Sequence, residues 1–227
     1  MIPSILAPLY VIADTVALGV DAVPDAVETM ADCGVRWIQV RAKDCSGREI
    51  FRLAEACLGR LDGHDVDLWL DDRADVGALL PVAGVHVGQR DLPPHSVREV
   101  LGPPVDGQGP WIGYSTHDLQ QLAVADSEPA VDVVALGPIF PTVSKERPDP
   151  VVGLDTLRLA RGKTKKPLVA IGGIDAERLP RVLEAGADAA VVLGAACRGD
   201  IAKNCRSLVR LAESVASSIR EETPWVE

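Results

Sequence analysis

The feature that most limits the fold is an alternation repeated eight times. A short apolar run stops at Gly, Pro or a polar residue, and a segment with apolar residues at helical spacing follows. The runs are Leu9 to Asp14, Trp37 to Val40, Leu68 to Leu70, Gly84 to Gly88, Trp111 to Tyr114, Val131 to Leu136, Pro167 to Ile171 and Ala189 to Leu193. Helical spacing is clearest through Val27 and Met30, through Ile50, Leu53, Ala54, Cys57, Leu58 and Leu61, and from Ile201 to Ile219. Runs that are apolar throughout, rather than at every second residue, describe strands covered on both faces, and so parallel strands under helices.

Eight such units in 227 residues predict an α/β fold, a (β/α)8 TIM barrel spanning 1–227 as one domain, with Arg220 to Glu227 a frayed polar tail. The rival is an open doubly wound sheet, but no G-x-G-x-x-G follows the first run and eight near-equal units exceed its usual count. Only Gly102 to Pro110 reads as a loose loop. A net charge of −10 and a pI near 4.9 speak against nonspecific binding to nucleic acid or an anionic membrane, so an anionic ligand needs local cations. Cys33, Cys45, Cys57, Cys197 and Cys205 form no C-x-x-C pair, which removes zinc-ribbon and dithiol redox readings and suits a reducing cytoplasm. No apolar run reaches the ~18 residues of a membrane span, and no signal-peptide pattern opens the chain. Oligomeric state stays open, a homo-oligomer included.

In a (β/α)8 barrel the chemistry sits at the carboxyl ends of the strands. Gln39, Arg41 and Lys43 end the second run at alternate positions, and period two puts all three on one face, where they can grip a diphosphate and a heterocycle together. Asp71 and Asp72 follow the third run and Asp91 the fourth. Carboxylates at 72 and 91 able to share one small hard cation suit Mg²⁺ held with substrate phosphates, although Asp72 also reads as a helix cap or a partner for Arg73. Beyond the sixth run, Thr142, Ser144 and Lys145 bring two hydroxyls and an ammonium to one loop, the equipment for an anionic oxygen cluster, while a solvated loop with a lysine reads the same way. Gly172, Gly173 and Gly194 expose backbone N–H groups where barrels bind phosphate, or serve turns. His86 reads as a packed lumen residue. His117, at the rim after Ser115, reads as a proton carrier or, with Asp118, as a helix cap. Trp37, Trp69 and Trp111 enter their strands as core. Phosphate chemistry is the working expectation.

Five spaced segments then stand out together: Gln39-Val40-Arg41-Ala42-Lys43-Asp44, Asp71-Asp72-Arg73, His86 to Pro93, Gly113-Tyr114-Ser115-Thr116-His117, and Gly137 to Lys145. In order and spacing they resemble the thiamine phosphate synthase family, from about residue 9 to about residue 215. The resemblance implies a transferase that joins a hydroxymethylpyrimidine diphosphate to a thiazole phosphate alcohol, releasing pyrophosphate with Mg²⁺ as cofactor. It implies that Gln39, Arg41, Lys43, Asp71, Ser115 and Lys145 meet the pyrimidine diphosphate, with Arg41, Lys43, Ser115 and Lys145 carrying the reaction. It places the metal on Asp72 and Asp91, and the thiazole phosphate on Thr142, Ser144, Gly173 and the backbone at Leu193 and Gly194. The implied path is dissociative and needs no protein nucleophile.

Two positions depart from the family pattern. Asp71 stands where Asn is usual, replacing a group that donates and accepts by one that only accepts, and Gly194 stands where Ser is frequent. Two further readings share the resemblance: a thiazole tautomerase-like isomerase, against which Asp91 speaks, and a non-catalytic thiamine phosphate-binding paralogue acting as a sensor, for which Asp71 speaks. Whether the Pro-rich stretch from Thr142 to Pro150 closes over a ligand is left open by the sequence.

Overall fold

The computed structural model describes residues 7–104, 109–142 and 149–222. The eight runs become eight strands: β1 Leu9–Asp14, β2 Trp37–Arg41, β3 Asp67–Asp71, β4 Gly84–Val87, β5 Trp111–Thr116, β6 Val133–Leu136, β7 Leu168–Ile171 and β8 Ala189–Val192. Each pairs in parallel with the next, and β8 pairs with β1, closing the barrel and excluding the open sheet. The larger outer helices are α2 Val23–Asp32, α3 Gly47–Arg60, α5 Pro94–Leu101, α6 Leu119–Ser127, α7 Gly153–Arg161 and α8 Leu179–Glu184, with α10 Ile201–Glu222 completing the ring. Side chains cap α3 and α6. Ser46, for example, opens α3 with a reciprocal box in which Glu49 Oε2 accepts from the Ser46 N–H at 2.7 Å.

Some short elements escaped the periodicity argument: α1 Thr15–Leu18, a 3₁₀ turn at Val20–Ala22 and α9 Gly194–Cys197. The first and last are single turns, as is α4 Ala74–Gly77, and four residues cannot show a period of 3.6. Helix α10 runs on to Glu222, with Val215 and Ile219 packing against the core, and residues 223–227 of the expected tail lie outside the described residues. No described helix is long and apolar enough to cross a membrane.

Strand alternation divides the apolar residues into two cores. Ile38, Val40, Leu70, Val85 and Ile112 face outward and pack under the helices. Tyr10, Ile12, Trp37, Trp69, Trp111, Val133, Val169 and Val191 face inward and fill the lumen. Tyr10 stacks on Trp37 with ring centroids 4.1 Å apart and planes at 13°, and Trp69 lies 5.4 Å from Trp37. Burying rings of this size contributes roughly 4–6 kcal/mol each in transfer free energy. The three tryptophans are therefore core, as expected, and they fill the floor of the lumen.

Candidate active site

Above that floor the inward positions turn polar. On β2 the sequence Trp37, Gln39, Arg41 climbs from floor to mouth on one face, as period two requires. Gln39 is 3 % exposed and its amide donates to Tyr10 Oη at 2.8 Å. Arg41 pairs in register with Asp14 at the end of β1, and its Nη1 donates to Asp14 Oδ2. Its Nε lies 3.5 Å from Asp71 Oδ2. Lys43, beyond the strand end, reaches back so that its Nζ sits 2.7 Å from Asp72 Oδ2 and 3.6 Å from Asp71 Oδ2. Arg41, Lys43, Asp71 and Asp72 thus form one cluster.

The turn after β3 sets the angle of these acids. Asp72 takes φ 62°, the left-handed region that Asp enters more readily than most residues. Its N–H donates to the His86 carbonyl at 2.8 Å while Arg73 N–H donates back to the Asp71 carbonyl at 2.8 Å. Asp91 follows β4 and its Oδ2 accepts from the Gly88 N–H at 2.7 Å. It stands close enough to Asp72 for that residue's charge to act on it, while Asp72 Oδ2 is taken by Lys43 Nζ. Burial, and then the charge of Asp72, hold the Asp91 carboxyl above its ordinary range despite the Gly88 N–H. Burial and the Asp72 charge push Asp71 up to about 7, outweighing Lys43 and Arg41. For Lys43 burial acts to lower the pKa, but Asp71 and Asp72 outweigh it and the ammonium titrates above its usual value.

Carboxyl groups held this close want a cation. Among the described residues no three His, Cys, Asp or Glu side chains close a cage around a metal, so Asp72 and Asp91 offer hard oxygens from two residues. That donor set fits Mg²⁺, which takes one or two carboxylates and completes its octahedron with water and phosphate oxygens.

Opposite this cluster, Ser115 at the end of β5 is held twice. His86 Nε2 lies 2.9 Å from Ser115 Oγ, and Gln89 Nε2 donates to the Ser115 carbonyl at 2.6 Å. The His86 ring fits because residue 113 is glycine: a Cβ there would stand 2.3 Å from His86 Nδ1. His117 does not cap α6, whose first turn is capped by Asp118 Oδ1 accepting from the Gln121 N–H at 2.7 Å. Instead its Nδ1 lies 2.6 Å from the Gly137 carbonyl and its Nε2 3.5 Å from Asp149 Oδ2.

The loops after β6 and β7 lock together. Ile139 N–H donates to the Ile171 carbonyl and Phe140 N–H to the Gly172 carbonyl, at 2.8 and 3.0 Å. Gly173 has φ 64°, and a Cβ there would lie 2.4 Å from the Pro141 carbonyl oxygen, so only glycine lets these loops meet beside Thr142. Arg178 donates to the Gly173 carbonyl at 2.7 Å and lies over the Phe140 ring at 4.9 Å. Leu193 precedes α9 as its cap residue and Gly194 opens it. Ser144 and Lys145 lie outside the described residues.

Gln39, Arg41, Lys43, Asp71, Asp72, Asp91 and Ser115 all sit at the ends of strands two to five or in the loops that leave them, while Thr142, Gly173, Leu193 and Gly194 follow strands six to eight. Sequence reasoning missed Asp14, Gln89 and the link between His86 and Ser115. The only signal for Asp14 was its place at the end of the first run, and its partner becomes visible only with the β1–β2 register.

Residues 9–196 match the family described as thiamine monophosphate synthase. The chain is 49 % identical over 160 residues to a thiamine-phosphate synthase of Koribacter versatilis, covering 70 % of this chain and 72 % of that protein. It is 35 % identical over 207 residues to the thiamine-phosphate synthase of Albidiferax ferrireducens, covering 91 % of both. Among solved structures, a thiamine phosphate pyrophosphorylase from Pyrococcus furiosus superposes with a TM-score of 0.80 at 28 % identity, over 92 % of this chain and 96 % of that one. With a family match over most of its length and relatives of this identity and coverage, the chain belongs to the thiamine monophosphate synthase family and is an enzyme of the transferase class.

Proposed function

We propose that the enzyme condenses 4-amino-2-methyl-5-(diphosphooxymethyl)pyrimidine with 4-methyl-5-(2-phosphooxyethyl)thiazole, giving thiamine phosphate and pyrophosphate. The observation that carries this reading is the convergence of Arg41, Lys43, Asp71, Asp72 and Asp91 at one mouth: two cations for a diphosphate beside a carboxyl pair suited to a hard divalent ion. In the reaction the bond from the pyrimidine methylene carbon to the diphosphate oxygen breaks, both electrons leaving with pyrophosphate, and the thiazole nitrogen supplies the pair for the new bond. Mg²⁺ on Asp72 and Asp91 would offset charge on the diphosphate. Arg41 and Lys43, with Lys145, bind the leaving group and stabilise the charge it gains. Gln39 and Ser115 orient the pyrimidine, and Thr142, Ser144, Gly173 and the Leu193–Gly194 backbone hold the thiazole phosphate. The closed floor and packed lumen restrict water, which would otherwise capture the electron-poor methylene.

Asp71 is compatible with this reading. A carboxyl with pKa about 7 is substantially protonated near neutrality, and a protonated carboxyl both donates and accepts, as the amide usual at this position does. The assigned residues that are described come from one barrel, so the chain is taken as one catalytic unit acting on small molecules. The free thiols, four of the five buried, suit a reducing cytoplasm.

The test is to mix purified protein with both phosphorylated halves, with Mg²⁺ and with excess chelator, and to follow thiamine phosphate and pyrophosphate. Product only with the metal is expected. Binding without product would establish the sensor, and interconversion of thiazole tautomers without condensation the isomerase.

A further inference from the structure

We propose that Asp14 is a positioning residue for this reaction, a fixed clamp that draws the Arg41 guanidinium away from Asp71 and turns it toward the diphosphate. The inference rests on the reading of Arg41 given above. Asp14 ends β1, is 3 % exposed, and stands opposite Arg41 in the strand register. Its Oδ1 is committed to the N–H groups of Val16 and Ala17, each at 3.0 Å, at the start of α1. The backbone behind it is also held, since the Cys197 thiol donates to the Ile12 carbonyl at 3.3 Å. One oxygen, Oδ2, is therefore presented to Arg41 Nη1 from a carboxylate with little freedom to turn.

A guanidinium carries five N–H donors in a rigid fork. With Nη1 on Asp14 and Nε facing Asp71, the remaining donors are available to an anion at the mouth. Without Asp14 the nearest carboxylate to Arg41 is Asp71, and the guanidinium would close onto it. A negative group beside an anion site opposes the anion by its charge alone, so Asp14 can favour binding only through geometry. That gives the two roles opposite signs. If Asp14 merely caps α1, neutralising it leaves anion affinity unchanged or raises it; if it aims Arg41, neutralising it lowers the affinity.

Asp14→Asn separates the roles, because the side-chain oxygen still accepts from Val16 and Ala17 while an NH₂ group faces Arg41. Inorganic pyrophosphate with Mg²⁺ is the calorimetric probe, applied to the wild type, Asp14→Asn, Arg41→Ala and the double variant. We expect about a tenfold weaker affinity in Asp14→Asn, equivalent to about 1.4 kcal/mol, and less than about a twofold further effect when Arg41 is already Ala, because the two act as a unit. An equal loss in both backgrounds, no change, or tighter binding overturns the clamp. A ligand-free readout accompanies it: separate Arg41 Nη signals in ¹⁵N spectra of the wild type, averaged by rotation in Asp14→Asn. Should the wild type bind no pyrophosphate, the proposed function fails, and these spectra alone decide Asp14, unchanged Arg41 signals overturning the clamp. Should Asp14→Asn not fold, Asp14→Ser keeps a capping oxygen without reaching Arg41 and carries the same expectations.

Discussion

The two ends of the barrel use the same residue types to opposite effect. At the amino-terminal end Asp132 and Asp188 each have an arginine and a strand N–H to themselves. Asp132 accepts from Arg98 Nη2 at 2.6 Å and from Ile112 N–H at 2.8 Å, and Asp188 accepts from Arg161 Nη1 at 2.6 Å and from Leu168 N–H at 2.7 Å. These pairs staple a helix to the start of a strand. At the carboxyl-terminal end Asp14, Asp71, Asp72 and Asp91 crowd around Arg41 and Lys43; burial raises the Asp132 carboxyl at the first rim, but at this one the charge of Asp72 adds to burial in pushing up Asp71 and Asp91. The lesson is a division of labour: one rim has its charges matched for stability, while the other carries an acidic excess that a cation and an anionic ligand can resolve together.

The largest effect should come from Asp91→Ala. Losing half of the carboxyl pair is expected to cost at least about 100-fold in Mg²⁺-dependent kcat, with an unchanged circular dichroism spectrum. Retained activity would remove the metal assignment and with it the contrast between rims. Next, Asp132→Ala at the other end should lower stability by about 2–3 kcal/mol, since it strands Arg98 and the Ile112 N–H, while kcat of the folded enzyme stays near wild type. Denaturant unfolding beside initial rates separates the two.

A smaller effect of opposite sign is expected from Asp71→Asn. Asp71 binds its proton more tightly folded, with pKa about 7, than unfolded, near 3.8, so the metal-free protein loses stability as pH rises between those values. Removing the carboxyl should raise the Tm at pH 8, and the gain should vanish as pH falls below about 4. Melting curves in chelator would show this, and a constant difference across that range would mean that Asp71 is ionised throughout. Smallest of all, Arg36→Ala breaks an ion pair whose side chains are 58 % and 92 % exposed, and should move the Tm by less than about 1 °C.

Most of the barrel was legible because its signal is local: Val133 to Leu136 and Ala189 to Leu193 are apolar at every position and stop where chemistry begins. Arg41 and Lys43 were legible for the same reason, since two-residue spacing is written in the chain. What could not be read depends on neighbours distant in sequence. The grip of Asp14 on Arg41 needs the β1–β2 register, the approach of His86 to Ser115 needs the void left by Gly113, and Arg178 over Phe140 needs the loops after β6 and β7 to meet. The single-turn helices α1 and α9 lacked the length to announce themselves, and the continuation of α10 past Arg220 depended on Val215 and Ile219 finding the core.

The stack of Tyr10 on Trp37, with Trp69 and Trp111 beside them, makes the lumen a blind well rather than a tunnel. Traffic therefore has one doorway. A molecule approaching Gln39 from the strand ends would meet Arg41 and Lys43 first, so a change at either is felt before anything deeper is reached.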